Sequence, residues 1–154
     1  MLIANRNGIV FSGSSQTDTR NLVAAAAKIG DEQFKARGIY SAQANGAYTP
    51  SFTEADGKVE VQAGARLQTA TPGSSTTGGG YVLLLGKTAA NAGTIDTPSG
   101  QALLAAGDSF VIKRGQGTSG NLVSTTRGNE VTPAGTPGRV ENTGLIQAAL
   151  GDVR

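Results

Sequence analysis

Glu54 and Asp56, two positions apart, are the carboxylates best spaced for general acid–base chemistry in this chain. They flank an Asp56-Gly57 turn and have no counterpart at the repeat spacing described below, so they read as solvated turn residues. With no His and no Cys among 154 residues, Ser-His-Asp and Cys-His nucleophiles, zinc fingers and His-Glu-x-x-His metal sites are excluded. Gly115-Gln116-Gly117-Thr118-Ser119-Gly120 has dinucleotide-loop spacing and follows the strand-like Phe110-Val111-Ile112. Such a loop must open a helix whose N-terminus holds the pyrophosphate, whereas Asn121 to Thr126 is β-like, so the segment reads as a surface loop. Gly86-Lys87-Thr88 ends like a phosphate loop, but five residues separate it from Gly80, and Tyr81-Val82-Leu83-Leu84-Leu85 is a strand rather than a cradle of amides. No catalytic, cofactor or metal site is assigned, and the chain reads as non-enzymatic.

The elements behind these residues repeat. Gly80-Tyr81-Val82-Leu83-Leu84-Leu85-Gly86 and Gly100-Gln101-Ala102-Leu103-Leu104-Ala105-Ala106-Gly107 each run from glycine through an apolar strand to glycine, and Gly86 and Gly107 lie 21 positions apart. Val59 to Gly64 reads as a further copy, with Gly64 22 positions before Gly86. Asn142-Thr143-Gly144-Leu145-Ile146 aligns without a gap on Asn91-Ala92-Gly93-Thr94-Ile95, 51 positions earlier, which reads as two coils plus an insertion of nine residues. A period near 20 built from short β-runs broken by Gly and Asn predicts a right-handed parallel β-helix, a β-solenoid, with a small extra-helical element. Val82, Leu84, Ile95, Ala102 and Leu104 are expected to stack inward, rung upon rung. An antiparallel β-sandwich is the rival, and it would set Leu84 and Leu104 on antiparallel neighbours.

Composition agrees with thin rungs. Glycine at 23 of 154 is about twice the usual ~7%, and aromatics are 5% with no Trp. The net charge of +2 is scattered along the chain, which argues against nucleic acid or a membrane surface as partner. No apolar run is long enough for a membrane span, so no stable membrane insertion is expected. Absence of Cys suits a chain that crosses an outer membrane unfolded, where a premature disulfide would close a loop in the way. Met1-Leu2-Ile3-Ala4 has neither the basic flank nor the apolar core of a signal peptide, so if the protein is exported its signal is expected upstream and this chain is a fragment.

Along the chain, Asn5-Arg6-Asn7-Gly8-Ile9-Val10-Phe11 is a turn feeding a strand. From Leu22 to Phe34 helix and strand compete: Asp18 and Thr19 are available as caps for the alanine run Ala24 to Ala27, with Glu32 and Lys35 continuing it. Ile39 to Tyr48 reads as a hairpin turning at Asn45-Gly46, and Ala55 to Lys58 as a turn into the strand Val59 to Ala63. Thr71 to Gly78, Gly115 to Gly120 and Thr132 to Gly138 read as surface loops, the last two accounting for the insertion. Lys113, Arg114, Arg127 and Arg139 read as exposed edge or loop charges that discourage lateral strand pairing.

Asn5 to Ile9 resembles the Asn-Pro-Asn-Gly-Ile stretch in the secretion domain of the filamentous haemagglutinin family, the exoproteins of bacterial two-partner secretion. The resemblance continues through Val10 to Gly13, Asn21 to Ala24 and Ile29 to Phe34. It returns at Gly79 to Gly86, Asn91 to Ile95 and Leu104 to Asp108, in the family's order. Arg6 stands where the family has proline, and the family's upstream Asn-Pro-Asn-Leu type motif and N-terminal cap are not in this sequence. The resemblance implies that residues 1–154 are part of a β-helical secretion domain without its cap and signal peptide. It makes Leu22 to Ala25 a strand and Asp31 to Phe34 a helical turn.

It further implies recognition by the periplasmic domains of an outer-membrane transporter and templating of later rungs by earlier ones. The destination is then the medium or the bacterial cell surface, after transit through the periplasm. Adhesin or haemagglutinin-like effector functions, toward a host surface or a competitor cell, would reside in regions outside this chain. Within the turn, Asn5, Asn7, Gly8 and Ile9 are the residues assigned to transporter recognition. A carbohydrate-binding or carbohydrate-cleaving β-helix is the alternative from another class, and it predicts measurable sugar binding.

Overall fold

Runs of three to six β-forming residues ended by Gly or Asn cannot bury an apolar face alone, and this chain buries them by stacking coil on coil. The computed structural model describes residues 1–71, 79–115 and 128–154. After β1 (Leu2–Ala4), a first coil runs through β2 (Ile9–Phe11), β3 (Gln16–Asp18) and β4 (Asn21–Ala25). A second holds β7 (Lys58–Val61), β8 (Arg66–Gln68) and β9 (Tyr81–Gly86), and a third β10 (Thr88–Asn91), β11 (Thr94–Asp96) and β12 (Gln101–Ala106). The fourth is β15 (Arg139–Asn142), β16 (Leu145–Gln147) and β17 (Asp152–Val153). Two excursions leave the solenoid: α1 (Asp31–Arg37) with the hairpin β5 (Gln43–Ala44) and β6 (Ala47–Tyr48), then the hairpin β13 (Ser109–Lys113) and β14 (Glu130–Ala134).

Each coil supplies one strand to each of three parallel sheets, ordered β1-β4-β9-β12-β17, β2-β7-β10-β15 and β3-β8-β11-β16. The protein is therefore a parallel β-helix, and the sandwich is excluded: Leu84 pairs with Leu104 and Val82 with Ala102 in parallel register. The three sheets turn one face onto a shared core. Val82, Leu84, Ala102 and Leu104 come from the first sheet, Phe11, Val59 and Val61 from the second, and Leu67 and Ile95 from the third.

The first sheet differs from the other two because both its faces are covered. Val23, Leu83, Leu85, Leu103 and Ala105 point away from the solenoid core and pack under Ile39, Phe52, Phe110 and Ile112 of the excursions. Phe52 and Phe110 are fully buried and joined by an isolated β-bridge. A strand buried on both faces has no use for alternating polar residues, which is why Tyr81–Gly86 and Gln101–Ala106 read as continuous apolar runs while Ile9–Phe11 alternates. The expected extra-helical element is thus a second apolar layer, with each large side chain it buries contributing about 1.5–3 kcal/mol.

Several local expectations hold. Asn21–Ala25 is a strand and Asp31–Arg37 a helix, and the Asn45-Gly46 hairpin turn has φ of 51° and 81° at its two residues. Three others are corrected. Asn91 pairs directly with Asn142, so the 51-residue offset is one coil enlarged by the second hairpin, not two coils with a short insertion. Val59 pairs with Ala89, which puts β7 in a different sheet from β9, and the Gly64 to Gly86 spacing is no solenoid period. Thr132, Pro133 and Ala134 lie in β14 and pair antiparallel with β13, so a loop from Thr132 to Gly138 is wrong for its first three residues. The loop expected from Thr71 falls, beyond that residue, outside the described residues, as do Gln116 to Gly120 and the β-like Asn121 to Thr126.

Backbones meet closely at the corner before the first sheet. A Cβ on Gly100 would lie 2.1 Å from the Gly80 carbonyl oxygen, and one on Gly151 would lie 2.2 Å from that of Gly100. Only glycine permits the inter-rung spacing there.

Candidate functional site

The turn from Asn5 to Gly8 joins β1 to β2 at the edge of the first coil. Gly8 N–H donates to the Asn5 carbonyl oxygen at 3.0 Å, and Asn7 N–H donates to Asn5 Oδ1 at 3.1 Å, so a β-turn encloses an Asx-turn. Asn5 N–H in turn donates to the Ala25 carbonyl oxygen at 3.0 Å. Gly8 sits at φ +121°, a conformation closed to ordinary L residues, and a Cβ there would approach the Lys58 carbonyl oxygen to 3.0 Å. The next coil lies directly against the turn, since a Cβ on Gly57 would come within 2.3 Å of the Arg6 carbonyl oxygen.

The four sequence-assigned residues divide in two. Asn5 and Asn7 are exposed and Gly8 is half-buried at the corner. Ile9 faces the solenoid core and pairs with Val59, so it anchors the strand that leaves the turn. Asn5 spends its side-chain oxygen on the turn, whereas no hydrogen bond among the described residues engages the Asn7 amide. Asn7 is the member whose donor and acceptor both face solvent.

Arg6 does something that sequence reading missed. Its Nη1 lies 2.7 Å from Glu54 and its Nη2 2.5 Å from Asp56, while Lys28 Nζ reaches the other Glu54 oxygen at 3.3 Å. The hydrogen bond to Asp56, with the Glu54 charge behind it, raises the Arg6 pKa further above its ordinary value. Glu54 and Asp56 are exposed turn residues, as expected, and they also accept from Arg6 on the neighbouring corner. Where proline would stiffen the turn from within, this chain pins it to the following coil. The sequence carried no signal for it, because the first excursion separates the two turns and only the fold sets Ile9 beside Val59.

Other singled-out residues also acquire structural partners. Lys87 bonds to Asp108 and to Thr136 Oγ1, the latter at 2.5 Å, tying the base of the second hairpin to a coil corner. Lys113 lies 3.7 Å from Glu130 and over the Tyr48 ring at 4.8 Å, and Arg114 lies over Tyr40 at 4.5 Å. Arg139 pairs with Glu141. Arg127 falls outside the described residues. Among the described residues no group of three or more Asp or Glu is arranged to hold a metal, and no helix is long and apolar enough to cross a membrane.

Three parallel sheets built coil on coil, with two excursions packed as an apolar layer on the first sheet, place the chain among parallel β-helix domains. The family model of the TPS (two-partner secretion) secretion domain matches residues 1–154, and the chain belongs to that family. A TPS secretion domain marks an exoprotein secreted by two-partner secretion, which employs an outer-membrane transporter, and the domain type is a secretion domain rather than an enzyme. No curated protein matches the chain.

Proposed function

We propose that this domain serves an adhesin- or haemagglutinin-like exoprotein, that the transporter's periplasmic domains contact the Asn5 to Ile9 corner, and that completed coils template later ones. What supports the recognition reading is one observation: Asn7 is exposed with its amide unengaged, on a turn that Asn5, Gly8 and Ile9 hold in place. An amide so placed offers one donor pair and one acceptor to an incoming backbone. The templating reading draws on the open edges of the solenoid, where β17 and β16 present unpaired N–H and C=O groups to any following strand. The domain boundaries proposed are those of the sequence, 1–154, as part of a longer exoprotein whose medium or cell-surface destination follows export.

The test pairs two variants. Asn7→Ala is expected to lower affinity for the transporter's purified periplasmic domains severalfold with an unchanged thermal midpoint. Asn5→Ala removes the Asx-turn acceptor and is expected to lower stability by about 1 kcal/mol. If Asn7→Ala leaves affinity unaltered, the corner is structural only and the assignment fails.

A further inference from the structure

Between the two excursions lies an open groove of about 460 Å³ lined by Arg37, Tyr40, Tyr48, Lys113, Arg114 and Glu130. Three cations face one carboxylate, and that carboxylate is already held by Lys113 at 3.7 Å. Among the described residues neither Arg37 nor Arg114 has an ion-pair partner. The segment 116–127 that follows the groove in sequence contains no acidic residue that would neutralise them. We propose that this groove binds a carboxylate-rich, extended peptide of another protein, with Arg114 and Arg37 as its principal anchors.

The arrangement of the rings favours a peptide over a glycan. Sugar sites commonly offer an open aromatic face for a pyranose to stack on, but Tyr40 carries Arg114 at 4.5 Å and Tyr48 carries Lys113 at 4.8 Å. A guanidinium stacked on a ring keeps its N–H edge for bidentate hydrogen bonds to a carboxylate, and the stacking holds it in one orientation. Tyr40 is fixed in turn, its hydroxyl lying 3.3 Å from Asn129 Oδ1. Below the rings, Ser41 accepts from Ile112 N–H at 2.9 Å, joining the walls of the groove. Those walls come from residues 37–48, 112–115 and 130, which only folding brings together. The ligand is therefore met by the folded domain, and this site is independent of the corner at Asn5 to Ile9.

The experiment is fluorescence anisotropy of labelled decaglutamate with the full chain, in low salt, beside a labelled hyaluronan hexasaccharide as the glycan probe. Binding of decaglutamate that weakens with added salt is expected, with little binding of the hexasaccharide. The double variant Arg37→Ala/Arg114→Ala is expected to lose about tenfold in affinity or more. A distant pair of equal charge, Arg20→Ala/Arg139→Ala, should lose less than twofold. Arg114→Lys keeps the charge, removes the fork and should lose severalfold, a readout that survives if the double variant folds poorly. Absence of decaglutamate binding, equal loss in the distant pair, an unweakened Arg114→Lys variant, or binding of the hexasaccharide alone would each overturn the assignment.

Discussion

Gly8 carries the sharpest constraint of any single residue in the corner. At φ +121° with the Lys58 carbonyl oxygen 3.0 Å from where a Cβ would stand, it is opposed both by its own backbone and by the neighbouring coil. Gly8→Val is expected to cost about 1–3 kcal/mol, read as a lowered urea midpoint with an unchanged slope, and Gly8→Ala less. A midpoint equal to that of the parent chain would show that the turn relaxes into another conformation at no cost. The need for glycine here was legible, because Asn-Gly names a turn wherever it occurs. Arg6 was not, because its partners Glu54 and Asp56 lie about one coil away and nothing in the local sequence points to them. Ile9 shows a subtler limit: its membership of the motif was legible, but strand alternation turns it inward, to hold the corner from beneath.

At the scale of the element, continuous apolar runs spoke correctly for β9 and β12, and their register follows from the repeat. Strand β14 was concealed because Thr132-Pro133-Ala134-Gly135 has the composition of a turn. It is tolerated as a strand because β14 is the outer member of a two-stranded sheet, where Pro133 opposite Phe110 removes no bond that a central strand would need. That hairpin is tethered at its base by Asp108, whose carboxylate accepts from Lys87 and from the Thr136 hydroxyl and N–H. The bond from Lys87, then those from Thr136, hold the Asp108 pKa down to about 2. A carboxylate depressed in the folded state favours folding above its unfolded pKa near 4, and that contribution disappears as the pH falls through about 2. Thermal midpoints of the parent chain should therefore decline between about pH 4 and pH 2 more steeply than those of Asp108→Asn, which has already lost the charge. Parallel curves for the two would remove Asp108 from the tether. Because the carboxylate is 43% exposed, the difference should be modest and smaller in high salt.

Over the whole molecule, strands that touch are far apart in sequence: Ile9 meets Val59, Val23 meets Leu83 and Ala89 meets Val140. Such pairing closes long loops before any contact rewards it, which slows folding. In a solenoid each coil is stabilised by its neighbours, so local stability should peak where neighbours lie on both sides. The second and third coils meet this condition and carry the extra-helical layer as well, with Leu83, Leu84 and Leu85 almost wholly buried. The fourth coil does not, and Val140, Leu145, Leu150 and Val153 remain exposed along it. Amide hydrogen exchange is expected to be slowest in β9 and β12, faster in β2 and β3, and fastest in β16 and β17. Addition of a soluble strand-forming peptide is not needed to read this gradient, since it belongs to the free domain. Uniform protection from β3 to β17 would mean that the domain opens as one cooperative unit, and a completed coil would then offer no partly ordered edge on which a following coil could be built.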